Sequence, residues 1–159
     1  FTHSITNFSI FTFKDAEGAM AEVYRTLKPD GQAIVTSWER FAVLPIVHQA
    51  QKTLRPDLPA MPVPGPRFFE DGELEKVLVS GGFKRDQIRS FKRDIIVSDE
   101  DLVAGAKEFM SGDYMQRARE GYTEEEVAKW PETIAAVVKE EIEKYGGIKF
   151  QCFIAIATK

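Results

Sequence analysis

Cysteine occurs once in this chain, at Cys152, so no disulfide can form within it. Histidine occurs only at His3 and His48, far apart, and without a Cys/His cluster a metal centre has no support. No apolar run approaches the roughly 18 residues of a membrane-spanning helix. Basic side chains, 21 against 25 acidic, leave a net charge of −4 and a pI near 5.3. That mildly acidic balance gives no electrostatic footprint for nucleic acid. Neither a repeat nor a low-complexity tract nor an interdomain linker interrupts the chain. No signal-peptide pattern opens it, and it starts on Phe1 instead of Met, which leaves room for an upstream segment. The expectations are a cytoplasmic location, no membrane partner and no nucleic-acid partner. Cys152 lies in the apolar stretch from Phe150 to Ala157 and reads as a buried, inert thiol.

What the chain does have is an ordinary globular composition, 43% hydrophobic and 29% charged. With 159 residues, one domain over 1–159 is expected. Phe1 to Phe8 reads as a short strand running into a loop. Asp15 to Leu27 reads as a capped helix, with Ala19, Met20, Val23, Tyr24 and Leu27 at helical spacing. Pro29-Asp30-Gly31 ends it, and Gln32 to Trp38 follows as a strand buried on both faces. A helix from about Leu44-Pro45 to Leu54 comes next.

Five of the eight prolines (Pro56, Pro59, Pro62, Pro64 and Pro66) then impose an extended loop. Phe69 to Ser80 reads as a helix stopped by Gly81-Gly82, and Ile88 to Val97 as a strand. Asp99 to Met110, Tyr114 to Arg119 and Thr123 to Tyr145 read as three helices. Thr123 and Glu126 have capping-box spacing, and Pro131 is expected to split or kink the last helix. Ile148 to Thr158 closes the chain as a strand after Gly146-Gly147. Alternating strands and helices predict an α/β fold with right-handed crossovers, and 98–146 forms a helical insertion within it.

The stretch from Glu22 to Ser37 resembles the E-x-x-R-x-L-K-P-G-G signature of class I S-adenosylmethionine (SAM)-dependent methyltransferases, carried here by Glu22, Arg25, Leu27, Lys28, Pro29 and Gly31. Within that class it is similar to small-molecule methyltransferases related to quinone-biosynthetic enzymes, whose F-D-x-V-x-x-x-F-x-I/L stretch is matched at Phe1, Ser4, Phe8 and Ile10. Leu74 to Phe83 resembles their L-x-x-x-L-x-x-x-G-F shape. Two departures are Thr2, where an Asp is usual, and Asp30, in place of the first turn Gly. The family's G-x-G-x-G loop is absent, as is the acidic residue that holds the ribose hydroxyls.

The resemblance implies the C-terminal part of a Rossmann-like methyltransferase sheet, about four strands with the last antiparallel, whose cofactor-binding N-terminal half is supplied from elsewhere. It implies SAM as cofactor and a small-molecule substrate, in secondary metabolism, with the isolated chain incomplete as an enzyme. Other readings stay open: a non-catalytic methyltransferase-like subunit, or the same fold catalysing another reaction such as cyclisation.

The implied cofactor-binding residues are Thr6, Asn7 and Phe8, at the end of the first strand, where an amide and an aromatic face suit a zwitterionic tail and a sulfonium. Asn7 as a turn former and Phe8 as a core residue are the plain alternatives. Phe13, Trp38 and Tyr114 are the implied substrate contacts, with Tyr114 among insertion residues (Met110, Met115, Tyr122, Trp130) that line a lid or simply pack. His48 has the intrinsic pKa of a catalytic base, or is a helix-surface histidine without a role. His3 reads as structural. The strand at 1–8 should lack its natural neighbour, so the missing half, another subunit or a second copy is expected to pair with its edge.

Overall fold

The computed structural model describes all residues, Phe1–Lys159. In chain order it holds β1 (His3–Thr6), α1 (Ala16–Thr26), β2 (Gln32–Arg40), α2 (Val43–Leu54), α3 (Glu73–Ser80), β3 (Ile88–Val97), α4 (Glu100–Ser111), α5 (Glu124–Tyr145) and β4 (Ile148–Thr158), with short 3-10 turns between them. The strands form one mixed sheet in the order β1-β2-β4-β3. β1 is parallel to β2, from His3↔Gln32 to Thr6↔Val35. β4 runs antiparallel to β2, from Gln32↔Thr158 to Trp38↔Cys152. The α/β class, the four strands and the antiparallel last strand agree with the sequence reading. β1 is a border strand, with β2 as its single neighbour.

Local chemistry explains the element ends. The Asp15 carboxylate accepts the Gly18 N–H at 2.8 Å and caps α1. Asp30, at φ 63°, takes the left-handed turn position, which Asp tolerates better than most residues. The Lys159 ammonium then donates to the carbonyls of Tyr24 (2.6 Å) and Leu27 (2.8 Å) and sits 4.7 Å from the Tyr24 ring. A cation thus satisfies carbonyls left open at the end of α1 and complements its dipole.

The chain forms two compact units. The first holds Phe1–Arg40, Pro64–Asp94 and Gln151–Lys159. Its core joins Met20 and Leu27, Leu74, Val77 and Leu78 of α3, and Phe83 to the small residues Ala33, Val35, Ala155 and Ala157 of the sheet. A Cβ on Gly81 would lie 2.7 Å from Met20, so the glycine permits the close approach of α3's end to α1. On the sheet's other face, the register aligns Ile5, Ile34 and Ile156 across three strands. None of the three belongs to either core, and Ile5 is 67% exposed.

The second unit holds Phe41–Val63 and Ile95–Phe150. Trp130, Ile134 and Val138 recur at intervals of four along α5 and pack with Ile46, Val47 and Ala50 of α2 and Val103 and Met110 of α4. Trp130 is fully buried and donates its indole N–H to the Met110 carbonyl at 2.9 Å.

Three local expectations are corrected. The helix expected from Phe69 begins only at Glu73, because Gly72 takes φ 79° and Pro66–Phe69 forms a separate 3-10 turn. The segment around Tyr114 is a 3-10 stretch, Asp113–Arg119, broken at Met115 (φ −104°, ψ 20°). Pro131 does not split α5, which runs through all 22 residues. Pro131 and Val127 are both exposed, so the hydrogen bond that Pro131 cannot make is lost on the solvent side of α5.

The capping box of α5 is complete. Thr123 accepts from the Glu126 N–H, and Glu126 accepts from the Thr123 N–H at 2.7 Å. Thr123→Ala is expected to cost about 1 kcal/mol in chemical denaturation. The backbone N–H of Thr123, with Arg55 beside it, holds the Glu126 carboxyl below its ordinary pKa. A carboxyl depressed by folding stabilises fully above its unfolded pKa and loses that contribution as pH falls through the folded value. Glu126→Gln should therefore lower Tm at neutral pH, and the gap from wild type should close below about pH 4.

Candidate functional site

β1 and β2 are parallel, so their carboxyl ends lie together, where open α/β sheets bind ligands. There β1 stops in an unusual turn. Phe8 has φ 47°, a left-handed conformation rare for a bulky side chain. Its N–H donates to Thr36 Oγ1 at 2.8 Å, and the Thr36 hydroxyl donates to Asn7 Oδ1 at 3.0 Å. The turn lays the Phe8 ring flat on Trp38, with centroids 3.8 Å apart and planes 8° from parallel. Next along β2, the buried Ser37 hydroxyl donates to the Phe68 carbonyl at 2.7 Å and ties the 3-10 turn at Pro66–Phe69 to the strand.

Asn7, Phe8 and Trp38 are thus brought together at one end of the sheet. Thr6 shares the face of Val35 and Ala155 and is 9% exposed. Phe13 follows the 3-10 turn Ile10–Thr12 and is 38% exposed. His48 and Tyr114 belong to the second unit. His48 Nε2 lies 2.8 Å from the Met61 carbonyl, which can only accept, so that nitrogen carries a proton. Tyr114 is 84% exposed and stacks on Phe109 at 5.5 Å. Trp130 and Met110, considered as lid residues, are core. Thr36 and Ser37 are the site residues the sequence reading missed; two consecutive hydroxyls at the end of an apolar strand were the available signal.

Several charged groups near β2 form ion pairs. Lys92 Nζ lies 2.8 Å from Glu39 Oε1 and 3.1 Å from Asp71 Oδ2, and these bonds raise its pKa. It borders a cavity of about 240 Å³ lined by Glu70, Asp71, Glu75 and Phe153 among others. In the second unit, Asp113, Arg117, Arg119 and Glu120 line a cavity of about 590 Å³. Burial pushes the Cys152 thiol up, away from the reactive thiolate. No group of three or more His, Cys, Asp or Glu side chains is arranged to hold a metal ion, and no helix is long and apolar enough to cross a membrane.

No protein-family model matches the sequence. Several solved structures are similar. Phosphoethanolamine N-methyltransferase 2 of Haemonchus contortus, bound to phosphomonomethylethanolamine and S-adenosylhomocysteine, is 12% identical with a TM-score of 0.43, over 100% of this chain and 33% of that one. The YcgJ protein of Bacillus subtilis is 14% identical with a TM-score of 0.46, over 100% and 64%. The [4+2]-cyclase SpnF is 18% identical with a TM-score of 0.42, over 99% and 49%. The chain therefore spans between 33% and 64% of the length of these structures.

Gln51 is the buried polar hub of the His48 region. Its Oε1 accepts the Met61 N–H at 2.9 Å, and its Nε2 donates to the Ala118 carbonyl at 2.7 Å. Gln51→Leu leaves both backbone groups unpaired and is expected to cost roughly 1–3 kcal/mol in denaturant unfolding. It should also quicken hydrogen exchange at Met61.

Proposed function

We propose that this chain is the C-terminal part of a SAM-dependent methyltransferase acting on a small molecule. The observation that supports the reading best is the sheet order β1-β2-β4-β3, with β1 and β2 parallel and β4 antiparallel, built around the Glu22 to Gly31 stretch. The Asn7–Phe8 turn stands at the carboxyl end of its border strand.

The residues present fit one end of such a cofactor. An exposed amide and an aromatic face suit a zwitterion and a positively charged sulfur. A glycine-rich loop and a ribose-binding acid must come from elsewhere. When bound, SAM supplies an activated methyl group for in-line displacement. Asn7 and Phe8 would then orient its methionine end, and Trp38 and Phe13 would contact the acceptor. Any proton transfer by His48 would use Nδ1, since Nε2 is engaged. Holding nucleophile and methyl group in line supplies much of the acceleration, so a strong base is not required.

The same reading gives β1 a partner. Its open edge carries unpaired backbone groups, and the Ile5–Ile34–Ile156 row is apolar surface outside both cores. The missing half, a separate subunit or a second copy would add a strand there and cover the row. In gel filtration with mass analysis the chain should co-elute with a partner or run at twice its mass; a well-behaved lone monomer argues against the pairing. In calorimetry SAM should bind the isolated chain weakly or not at all, and bind well once a polypeptide carrying the glycine-rich half is added. An assembled complex that gives no heat with SAM refutes the methyltransferase reading. A product lacking the 14-dalton gain of a methyl group points to a different reaction on this fold.

A further inference from the structure

We propose that Thr36 is a positioning residue that fixes both the shape and the polarity of the β1 terminus, so that Asn7 offers a ligand only hydrogen-bond donors. This rests on reading the β1 terminus as a ligand wall. The first step is a count of protons. The Phe8 N–H, a donor, points at Thr36 Oγ1 from 2.8 Å, so the hydroxyl oxygen accepts there. The contact between Thr36 Oγ1 and Asn7 Oδ1, at 3.0 Å, joins two oxygens and needs a proton between them. An amide oxygen has none, so the single Thr36 proton fills it.

The carbonyl side of Asn7 is thereby used up. Its NH2 group turns away from Thr36 with both N–H donors free, on a residue exposed at the mouth of the site. The group it meets must be an acceptor, such as a carboxylate or carbonyl oxygen; an ammonium finds no partner there. Thr36 itself is 7% exposed and cannot reach a ligand directly. It acts through its neighbours, by holding Phe8 in its left-handed turn and flat against Trp38.

Amide exchange and ring-current shifts in the ligand-free 159-residue chain test this. Wild type and Thr36→Ser should both protect the Phe8 N–H and keep its ring protons shifted upfield by Trp38. Thr36→Val should lose the shift and exchange the Phe8 N–H about tenfold faster, with Leu78 and Trp130 resonances unmoved. In wild type the Asn7 side-chain NH2 should exchange like that of a free asparagine. Protection of either Asn7 proton, or a Thr36→Val spectrum that keeps the Phe8 signature, overturns the proposal. Should Thr36→Val fail to fold, the wild-type Asn7 rates and the Thr36→Ser spectrum still decide it. No ligand enters the experiment, so failure of the SAM reading would show separately, in calorimetry.

Discussion

β2 is hydrogen-bonded along both edges, parallel to β1 on one side and antiparallel to β4 on the other. Everything in the first unit takes its position from that double ladder. The register with β4 sets Ala33 beside Ala157 and Val35 beside Ala155, a run of small side chains onto which α1 and α3 pack. The register with β1 brings Asn7 and Phe8 to the level of Thr36 and Trp38. A slip of one residue in either pairing would turn the alanine face outward and separate the Thr36 hydroxyl from the turn it holds.

β4 lies between β2 and β3, so the sheet ends at β1 on one side and at β3 on the other. Proteins commonly blunt such borders with charge, proline or a covering loop. β1 is blunted by its shortness, a four-residue His-Ser-Ile-Thr segment that still exposes an isoleucine. The border edge and the strained turn stand on the same strand, one along it and the other at its end.

Elements whose ends are fixed by local chemistry were legible in the sequence. Asp15, Thr123 with Glu126, and Gly146 mark helix ends through bonds made within a few residues. Pro29-Asp30-Gly31 forces a turn wherever it occurs. Boundaries set by tertiary demand were not legible. Gly72 delays α3 because the chain first forms the Pro66–Phe69 turn that Ser37 holds, a bond 31 residues long in sequence. Pro131 looked like a break because a sequence does not state which carbonyls can reach water. The site divided in the same way. Asn7, Phe8 and Trp38 could be named from their place at strand ends, but Thr36 could not. Its partners lie 28 and 29 positions away, and a threonine in a strand is otherwise unremarkable.

Lys159, just past β4, holds two elements at once. Its backbone closes the turn at Gly31, while its ammonium closes α1 at Tyr24 and Leu27. Lys159→Ala would therefore not be silent: loss of this one side chain uncaps a helix more than a hundred positions earlier in the chain. Lys159 works as a latch on the β1-α1-β2 crossover, and the strand that ends in the Asn7–Phe8 turn belongs to that crossover.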